Sequence, residues 1–283
     1  MKKIFKDNSG KGRIPGIYIM FFVLSFFCFI PVNAQNIDSL KQIFDEADDT
    51  TRVRLLNTRA KELYNADSTN FLSYSQKALE LSKEINDKKC IASSYETLAY
   101  LHKELTLYHK ATNYYKKAAT LYRKINKNKA YAKMMHEEGK LYRKMGKYDK
   151  AIDLYYKSIE LYESINNKSE LADVYVSVGV AYIKLNKNKK SREFYDKALN
   201  TYKAKNDTIG VFNVLNNIGL LYMNDDKNKE AKHYYYEALA LAQKTNYSNG
   251  IMISYNNIAI LHYRAKNYKK CINYLRKSLE LAE

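Results

Sequence analysis

The sequence has little of what catalytic and metal-binding domains are built from. It contains three cysteines, Cys28, Cys90 and Cys271, with no CxxC pair, and its five histidines are scattered. No glycine-rich phosphate loop, HExxH motif or nucleophile elbow occurs. These absences indicate a protein that is not an enzyme, with no cofactor and no metal ion.

Long apolar runs are also scarce. The longest covers residues 17–30, whereas a membrane-spanning helix needs about 20 apolar residues. Basic residues precede this run, and Val32 and Ala34 follow it at the positions that signal peptidase reads. We expect residues 1–34 to be a signal peptide cleaved near Ala34, which exports the rest of the chain to the periplasm. The alternative is an anchor in the inner membrane formed by residues 17–30.

What the sequence does have is a fixed period of 40 residues. A small residue recurs at this spacing as Ala99, Gly139, Gly179, Gly219 and Ala259. Three further positions repeat at the same spacing. The first is small: Ala111, Ala151, Ser191, Ala231 and Cys271. The second is a tyrosine in four of five repeats and the third is again small: Tyr115, Tyr155, Tyr195, Tyr235 and Leu275, followed by Ala118, Ser158, Ala198, Ala238 and Ser278. A fixed period of this length is typical of repeat arrays, in which each unit buries its apolar face on the next.

Each repeat contains two apolar blocks separated by short polar segments. Within a block, apolar residues at i, i+3, i+4 and i+7 share one helix face. The polar segments, such as Met145-Gly146-Lys147, Asn186-Lys187-Asn188 and Asn166-Asn167-Lys168, contain the residues that form turns and end helices. The unit is therefore predicted to be helix, turn, helix, turn.

This pattern resembles the tetratricopeptide repeat family. The motif residues in the repeat that begins at position 131 are Gly139, Tyr142, Gly146, Tyr148, Ala151, Tyr155, Ser158 and Ile159. The family period is about 34 residues, so the 40-residue unit is similar to an extended-helix subclass. The resemblance implies an all-α fold, a right-handed α-solenoid (superhelix) of about six helix-turn-helix repeats. Glu138 departs from the pattern, and its carboxylate either loosens that repeat or meets a nearby lysine or arginine.

The predicted organisation has three parts. Residues 1–34 form the signal peptide, residues 35–50 form an N-terminal capping helix, and residues 51–283 form the array. The approximate repeat boundaries are 51–88, 91–130, 131–170, 171–210, 211–250 and 251–283. No capping helix follows the last repeat, so a longer signalling protein, a covering partner and self-association through this repeat remain open.

The formal net charge of +18 has two interpretations. A basic surface attracts anionic partners, including a membrane or another anionic envelope surface. Alternatively, the lysines reflect a composition rich in Lys, Asn, Ile and Tyr and keep exposed helices soluble. The export signal argues against nucleic acid as a partner.

The resemblance implies that the first helix of each pair lines a concave groove. The candidate residues for peptide binding are Lys133, His136, Lys140, Arg143, Asn213, Asn216, Asn217, Leu220, Asn256, Asn257, Ile260 and Tyr263. An asparagine amide can donate to and accept from a peptide backbone, and the cations can pair with a carboxylate. The alternative is that the asparagines bond their own neighbours.

These observations favour a non-enzymatic scaffold, exported to the periplasm, that binds a protein or peptide in the groove. An alternative is the N-terminal sensory region of a membrane-bound signalling protein, a histidine kinase or a transcriptional regulator, whose effector part lies beyond residue 283. A third hypothesis, an envelope enzyme or carbohydrate-binding protein, requires an exposed aromatic or carboxylate pair in a closed pocket, which the sequence does not offer.

Overall fold

The computed structural model describes residues 44–64 and 70–282. The chain divides into two units, Met1–Arg52 and Val53–Glu283. The predicted signal peptide and all of the predicted capping helix up to residue 43 lie outside the described residues. In the part of the chain that the structure describes, no helix combines the length and the apolar character needed to span a bilayer.

The described residues are almost entirely helical. In chain order the helices are α1 (Asp49–Tyr64), α2 (Phe71–Glu84), α3 (Lys88–Glu104), α4 (Tyr108–Lys124), α5 (Asn128–Lys144), α6 (Tyr148–Ser164), α7 (Lys168–Lys184), α8 (Asn188–Ala204), α9 (Thr208–Asn224), α10 (Asn228–Lys244), α11 (Ser248–Arg264) and α12 (Tyr268–Glu280). A short helical stretch also covers residues 44–46.

The start of α1 is fixed by side chains of the first unit. Asp48 accepts a hydrogen bond from the Thr51 backbone N–H at 2.9 Å, as an N-cap residue does. Hydrogen bonds from Thr50 and Thr51 lower the pKa of Asp48 to about 2. The Arg52 guanidinium donates to the carbonyl oxygen of Phe44 at 3.0 Å. These contacts tie residues 44–52 together.

From α2 onward, each helix packs against the next one along the chain. The helices from α3 to α11 each contain 17 residues. The 40-residue sequence period is therefore two such helices and two short connections, and the predicted array of helix pairs is confirmed. The first helices of the pairs are α3, α5, α7, α9 and α11, and the second helices are α4, α6, α8, α10 and α12.

The connections owe their uniformity to one backbone conformation. A residue with positive φ follows each helix from α2 to α11: Asn86, Thr106, Asn126, Gly146, Asn166, Asn186, Asn206, Asp226, Asn246 and Lys266. After it, the next N–H donates back to the carbonyl five positions earlier, for example from Lys187 to Tyr182 at 2.9 Å. This is a Schellman motif, in which glycine and asparagine are the preferred left-handed residues. The polar segments predicted as turns thus contain the left-handed residues.

The small residues of the first helices contact the ring of a tyrosine on the second helix of the same pair. A Cβ atom on Gly139 would lie 2.5 Å from Cε1 of Tyr155, and one on Gly219 would lie 2.5 Å from Cε1 of Tyr235. Both tyrosines are buried. At Gly139 and Gly219 the two helices of the pair approach so closely that even a methyl group would force the tyrosine ring to shift, which explains the glycine at these two positions.

Glu138 forms an ion pair with a lysine of the preceding helix. Its carboxylate is buried in α5, and the Lys116 ammonium of α4 lies 3.7 Å from it. Burial raises the pKa of Glu138, and the charges of Lys116 and Lys157 oppose that shift. Of the two alternatives at this position, the pairing with a nearby lysine is therefore the one observed.

Candidate functional site

The exposed sides of α3, α5, α7, α9 and α11 form one surface, which we name the groove face. The helices α5 and α7, α7 and α9, and α9 and α11 contact each other side by side. Bonds also cross between them, such as the ion pair from Lys129 to Glu170 at 2.6 Å. Every residue predicted to bind a peptide lies on one of these first helices, so the array brings the predicted residues onto one surface.

The part of the groove face on α3 and α5 is a network of paired charges. Lys133 of α5 lies 2.7 Å from Glu96 of α3. Lys140 lies 2.7 Å from Glu137, which Lys103 approaches to 3.8 Å. Two of the predicted cationic residues, Lys133 and Lys140, therefore already have carboxylate partners within the protein.

His136 lies beneath this surface. Its Nε2 atom is 2.8 Å from the Ser177 hydroxyl of α7, and that hydroxyl donates to the Asp173 carbonyl oxygen at 3.0 Å. The only proton of the hydroxyl is thereby used, so Nε2 is the donor to Ser177. Burial, together with the charges of Lys140 and Arg143, holds the pKa of His136 well below its ordinary value. This neutral side chain joins two repeats.

Arg143 differs from the lysines beside it. Its Nε atom is buried and finds no acceptor among the described residues. The Tyr155 hydroxyl is likewise buried without a hydrogen-bond partner in the described part of the chain. Burial raises the pKa of Tyr155 to about 12, against the opposing charge of the nearby Arg143. The structure thus places a buried guanidinium nitrogen of α5 beside a buried phenol of α6, beneath the groove face.

Asn216 and Asn257 bond to each other. The Asn257 amide nitrogen donates to the Asn216 side-chain oxygen at 2.8 Å, and the Asn216 amide nitrogen donates to the Phe212 carbonyl oxygen at 2.9 Å. Asn216 is buried. Its amide is therefore committed to neighbours, as the second interpretation of the asparagines expected, and it joins α9 to α11.

The other predicted asparagines stand at the surface. Asn213 and Asn256 are exposed, and Asn217 is half-buried. Asn256 also borders an open depression of about 630 Å³ between α11 and α12, together with Ile253 and Leu275. Asn213 and Asn217 are therefore accessible amides of α9, whereas Asn256, which has the register of Asn216, faces the depression beside α12.

The apolar candidates are unusually exposed for their size. Leu220 is 40% exposed, Ile260 is 45% exposed and Tyr263 is 63% exposed. Exposed apolar groups that share one surface mark binding sites more often than isolated ones do. The groove face therefore changes along the array, from paired charges on α3 and α5 to apolar and amide groups on α9 and α11.

The candidate set omitted the groove residues of α3. Glu96, Tyr100 and Lys103 occupy the same repeat positions as His136, Lys140 and Arg143, and the Lys103 ammonium lies 4.8 Å from the Tyr100 ring centre. Extending the 40-residue register by one repeat toward the N-terminus finds all three. Among the described residues, no group of three or more His, Cys, Asp or Glu side chains could hold a metal ion.

Comparison with family models gives matches over most of the array. A tetratricopeptide repeat model matches residues 131–204 and 210–283, and a second tetratricopeptide repeat model matches residues 92–125. A comparison with curated proteins finds no match.

Solved structures share the fold at low identity. A Signal Transduction ATPase with Numerous Domains (STAND) protein with a tetratricopeptide repeat sensor, from Pyrococcus horikoshii, is 18% identical with a TM-score of 0.73 over 93% of this chain and 41% of that chain. BtubC from P. vanneervenii is 16% identical, with a TM-score of 0.62; the match covers 83% of this chain and 89% of BtubC. The Rap conjugation gene regulator of plasmid pLS20, in complex with the Phr* peptide, is 13% identical, with a TM-score of 0.61. The match covers 82% of this chain and 75% of the regulator. The predicted all-α, right-handed solenoid fold is confirmed.

Proposed function

Because the chain belongs to the tetratricopeptide repeat family, we propose that it is a non-catalytic scaffold that binds a protein or peptide on the groove face. Arrays of this kind present an extended surface built from successive repeats. The Rap regulator, which has the same fold, is bound to a peptide in its solved structure. That likeness supports a peptide or protein as the class of partner.

One observation carries the proposal, namely the exposed apolar and amide groups on the last two first helices. The exposed side chains of Leu220, Ile260 and Tyr263 share α9 and α11 with the accessible amides of Asn217 and Asn256. Apolar side chains supply burial energy, and amides satisfy a backbone without demanding a particular sequence. This combination suits a polypeptide ligand better than a charged small molecule.

A crosslinking capture experiment tests the groove assignment. The bait is the full chain, and the test variant carries Asn217→Ala, Asn256→Ala and Ile260→Ala. We expect partners crosslinked to the unchanged protein to be at least about tenfold depleted with this variant, because several contacts of about 0.5–1.5 kcal/mol each are lost.

The matched control changes exposed asparagines on second helices. Asn113→Ala and Asn200→Ala alter α4 and α8, away from the groove face. The control should capture the same partners as the unchanged chain, and circular dichroism should show equal helicity for all three proteins. Equal capture by the groove variant and the unchanged chain would remove the groove assignment.

The proposed location is the periplasm, after cleavage of the signal peptide near Ala34. The support is the basic start, the apolar run at residues 17–30 and the small residues Val32 and Ala34. N-terminal sequencing of the expressed protein should begin at Gln35. Recovery of the full-length chain in the membrane pellet after alkaline extraction would instead favour the anchor formed by residues 17–30.

One observation favours a second candidate, the sensory region of a larger signalling protein. The Pyrococcus horikoshii protein is described as having a tetratricopeptide repeat sensor, and this chain spans 41% of its length. The test is to sequence the coding DNA past codon 283. A membrane span followed by a kinase or DNA-binding module would support the candidate, and a stop codon would overturn it.

A further inference from the structure

The exposed side of α4 differs in charge from the exposed side of the next second helix, α6. Five exposed positions follow each other along α4 at intervals of three or four residues: Lys110, Asn113, Lys117, Thr120 and Lys124. The equivalent positions of α6 contain Lys150, Asp153, Lys157, Glu160 and Ser164. Carboxylates therefore alternate with the lysines of α6, whereas neutral side chains separate the lysines of α4.

The whole of α4 lacks acidic residues, although it contains five lysine and arginine residues. The later second helices, α6, α8, α10 and α12, each contain at least one aspartate or glutamate. Among the described residues, Lys116 is the one cation of α4 with an ion-pair partner, Glu138 at 3.7 Å. In that part of the chain no ion pair is formed by the other four, Lys110, Lys117, Arg123 and Lys124.

The lysines of α4 form a line at a cost to the helix. Lys110, Lys117 and Lys124 follow each other at intervals of seven residues, so they lie about 10 Å apart along one side of α4. Lys110 also stands in the first turn, where the helix dipole disfavours a cation. Because both features destabilise a helix, this pattern favours a surface that contacts anions over one that only keeps the helix soluble.

The residue before α4 is also unlike its equivalents. Leu107 is the N-cap residue of α4 and is 43% exposed. The residues at this position before α6, α8, α10 and α12 are polar, namely Lys147, Lys187, Lys227 and Asn267. An exposed aliphatic side chain beside a line of lysines suits an anionic bilayer, which has charged headgroups above an apolar layer. A soluble acidic polysaccharide offers the charges without the apolar layer.

We propose that these residues dock the array on the surface of a bilayer that contains anionic phospholipids, and we name them the basic ridge (Leu107, Lys110, Lys117, Arg123 and Lys124). The cations pair with the headgroup phosphates, and Leu107 enters the apolar layer. The basic ridge contains no residue of the groove face, so membrane docking and groove binding are separate properties of the array.

Co-sedimentation of the full chain with lipid vesicles tests the proposal. The test variant, Asn113→Asp with Thr120→Glu, gives α4 the two carboxylates that α6 has at these positions and leaves every lysine in place. We expect its partition coefficient on vesicles of phosphatidylcholine and phosphatidylglycerol to be at least about tenfold below that of the unchanged chain, since each unit charge near an anionic surface contributes about fivefold.

A matched control places the same two charges on other second helices. Asn273→Asp in α12 and Asn200→Glu in α8 occupy the equivalent repeat positions, and both asparagines are exposed. The control should keep the partition coefficient of the unchanged chain, and an equal fall for both variants would overturn the assignment to α4. Any binding through residues 17–30 is common to all three proteins and is measured on vesicles of phosphatidylcholine alone.

Leu107→Asn distinguishes a bilayer from a soluble polyanion. Asn267, at the equivalent position, accepts a hydrogen bond from the Lys270 backbone N–H at 3.2 Å, so an asparagine at position 107 supplies a helix cap and keeps α4 folded. The partition coefficient should fall about fivefold while retention on immobilised dextran sulfate stays unchanged. Retention on dextran sulfate without binding to anionic vesicles would assign the basic ridge to a soluble polyanion and overturn the membrane proposal.

Acetylation of lysines followed by mass spectrometry locates the contact. Lys117 and its control Lys197 of α8 are matched, because both are exposed and each ammonium lies over two aromatic rings. Anionic vesicles should slow the acetylation of Lys117 and leave that of Lys197 unchanged. Equal protection of the two lysines, or equal partition of the unchanged chain and the test variant, would overturn the proposal.

Discussion

Gly179 lies directly on the ring of Tyr195, so that a Cβ atom at position 179 would be 2.4 Å from Cε1 and 2.7 Å from Cδ1. Tyr195 is fully buried, so its ring can shift only by disturbing the side chains packed around it. We expect Gly179→Ala to destabilise the array by about 1–2 kcal/mol, since overpacking outweighs the gain in helix propensity of about 1 kcal/mol. Chemical denaturation of both proteins measures the difference.

A second substitution separates overpacking from other effects. The last repeat has the same two positions filled by Ala259 and Leu275. Tyr195→Leu copies that pair, so the double variant should be about 1 kcal/mol more stable than the sum of the two single changes predicts. Strict additivity of the two changes would contradict the contact between Gly179 and Tyr195.

Thr106 occupies the left-handed position after α3, with φ of 59°. A β-branched residue is strained there, and the equivalent position after most other helices is asparagine. The side chain is exposed, so its replacement removes no packing. Thr106→Asn should stabilise the protein by about 1 kcal/mol, measured as a higher midpoint of thermal unfolding. The reverse change, Asn126→Thr, should lower the midpoint, and a rise there would contradict the strain argument.

Glu138 occupies a repeat position that is apolar in the neighbouring repeats, where the equivalent residues Leu98 and Val178 are buried. Replacing a buried ion pair by a well-packed apolar side chain is often stabilising by about 1–4 kcal/mol. Glu138→Ile should therefore raise stability at pH 7, the more so because the remaining Lys116 side chain is 56% exposed and can be solvated.

The pH dependence of this gain follows from the raised pKa of Glu138. A carboxyl whose pKa is higher in the folded chain stabilises the fold at low pH and loses that contribution as the pH rises. The advantage of Glu138→Ile should thus shrink as the pH falls from 7 toward 4.5. Urea denaturation at several pH values measures it, and a constant or growing advantage at acid pH would show that the carboxyl is not destabilised by burial.

The buried His136 side chain makes the stability of the protein depend on pH in the opposite direction. Its folded pKa lies well below the ordinary value of 6.5, chiefly because of burial. The unfolded chain therefore takes up the proton first, and stability present above pH 6.5 is lost as the pH falls, by at most about 1.4 kcal/mol per pH unit. His136→Gln, which can still bond Ser177, should flatten the curve between pH 6.5 and 5. An unchanged slope would mean that His136 does not carry this dependence.

The helix pairs, the turns and the core positions could be predicted from the 40-residue period, because each depends on residues close together in sequence. The groove contacts were not predictable in the same way. His136 bonds Ser177, and Asn216 bonds Asn257, across 41 residues, one more than the period. That offset depends on how adjacent first helices are displaced, which no local pattern encodes. For the same reason the pairing of Lys133 with Glu96 emerged only from the structure.

The most direct test of the account is site-specific photo-crosslinking in cells that make the protein. A photoreactive amino acid in place of Ile260 probes the groove face on α11, and the same amino acid in place of Asn200 probes the second helix α8. The account predicts a discrete adduct with a protein or peptide from position 260 and none from position 200. Adducts from position 200 with none from position 260 would contradict the assignment of binding to the groove face.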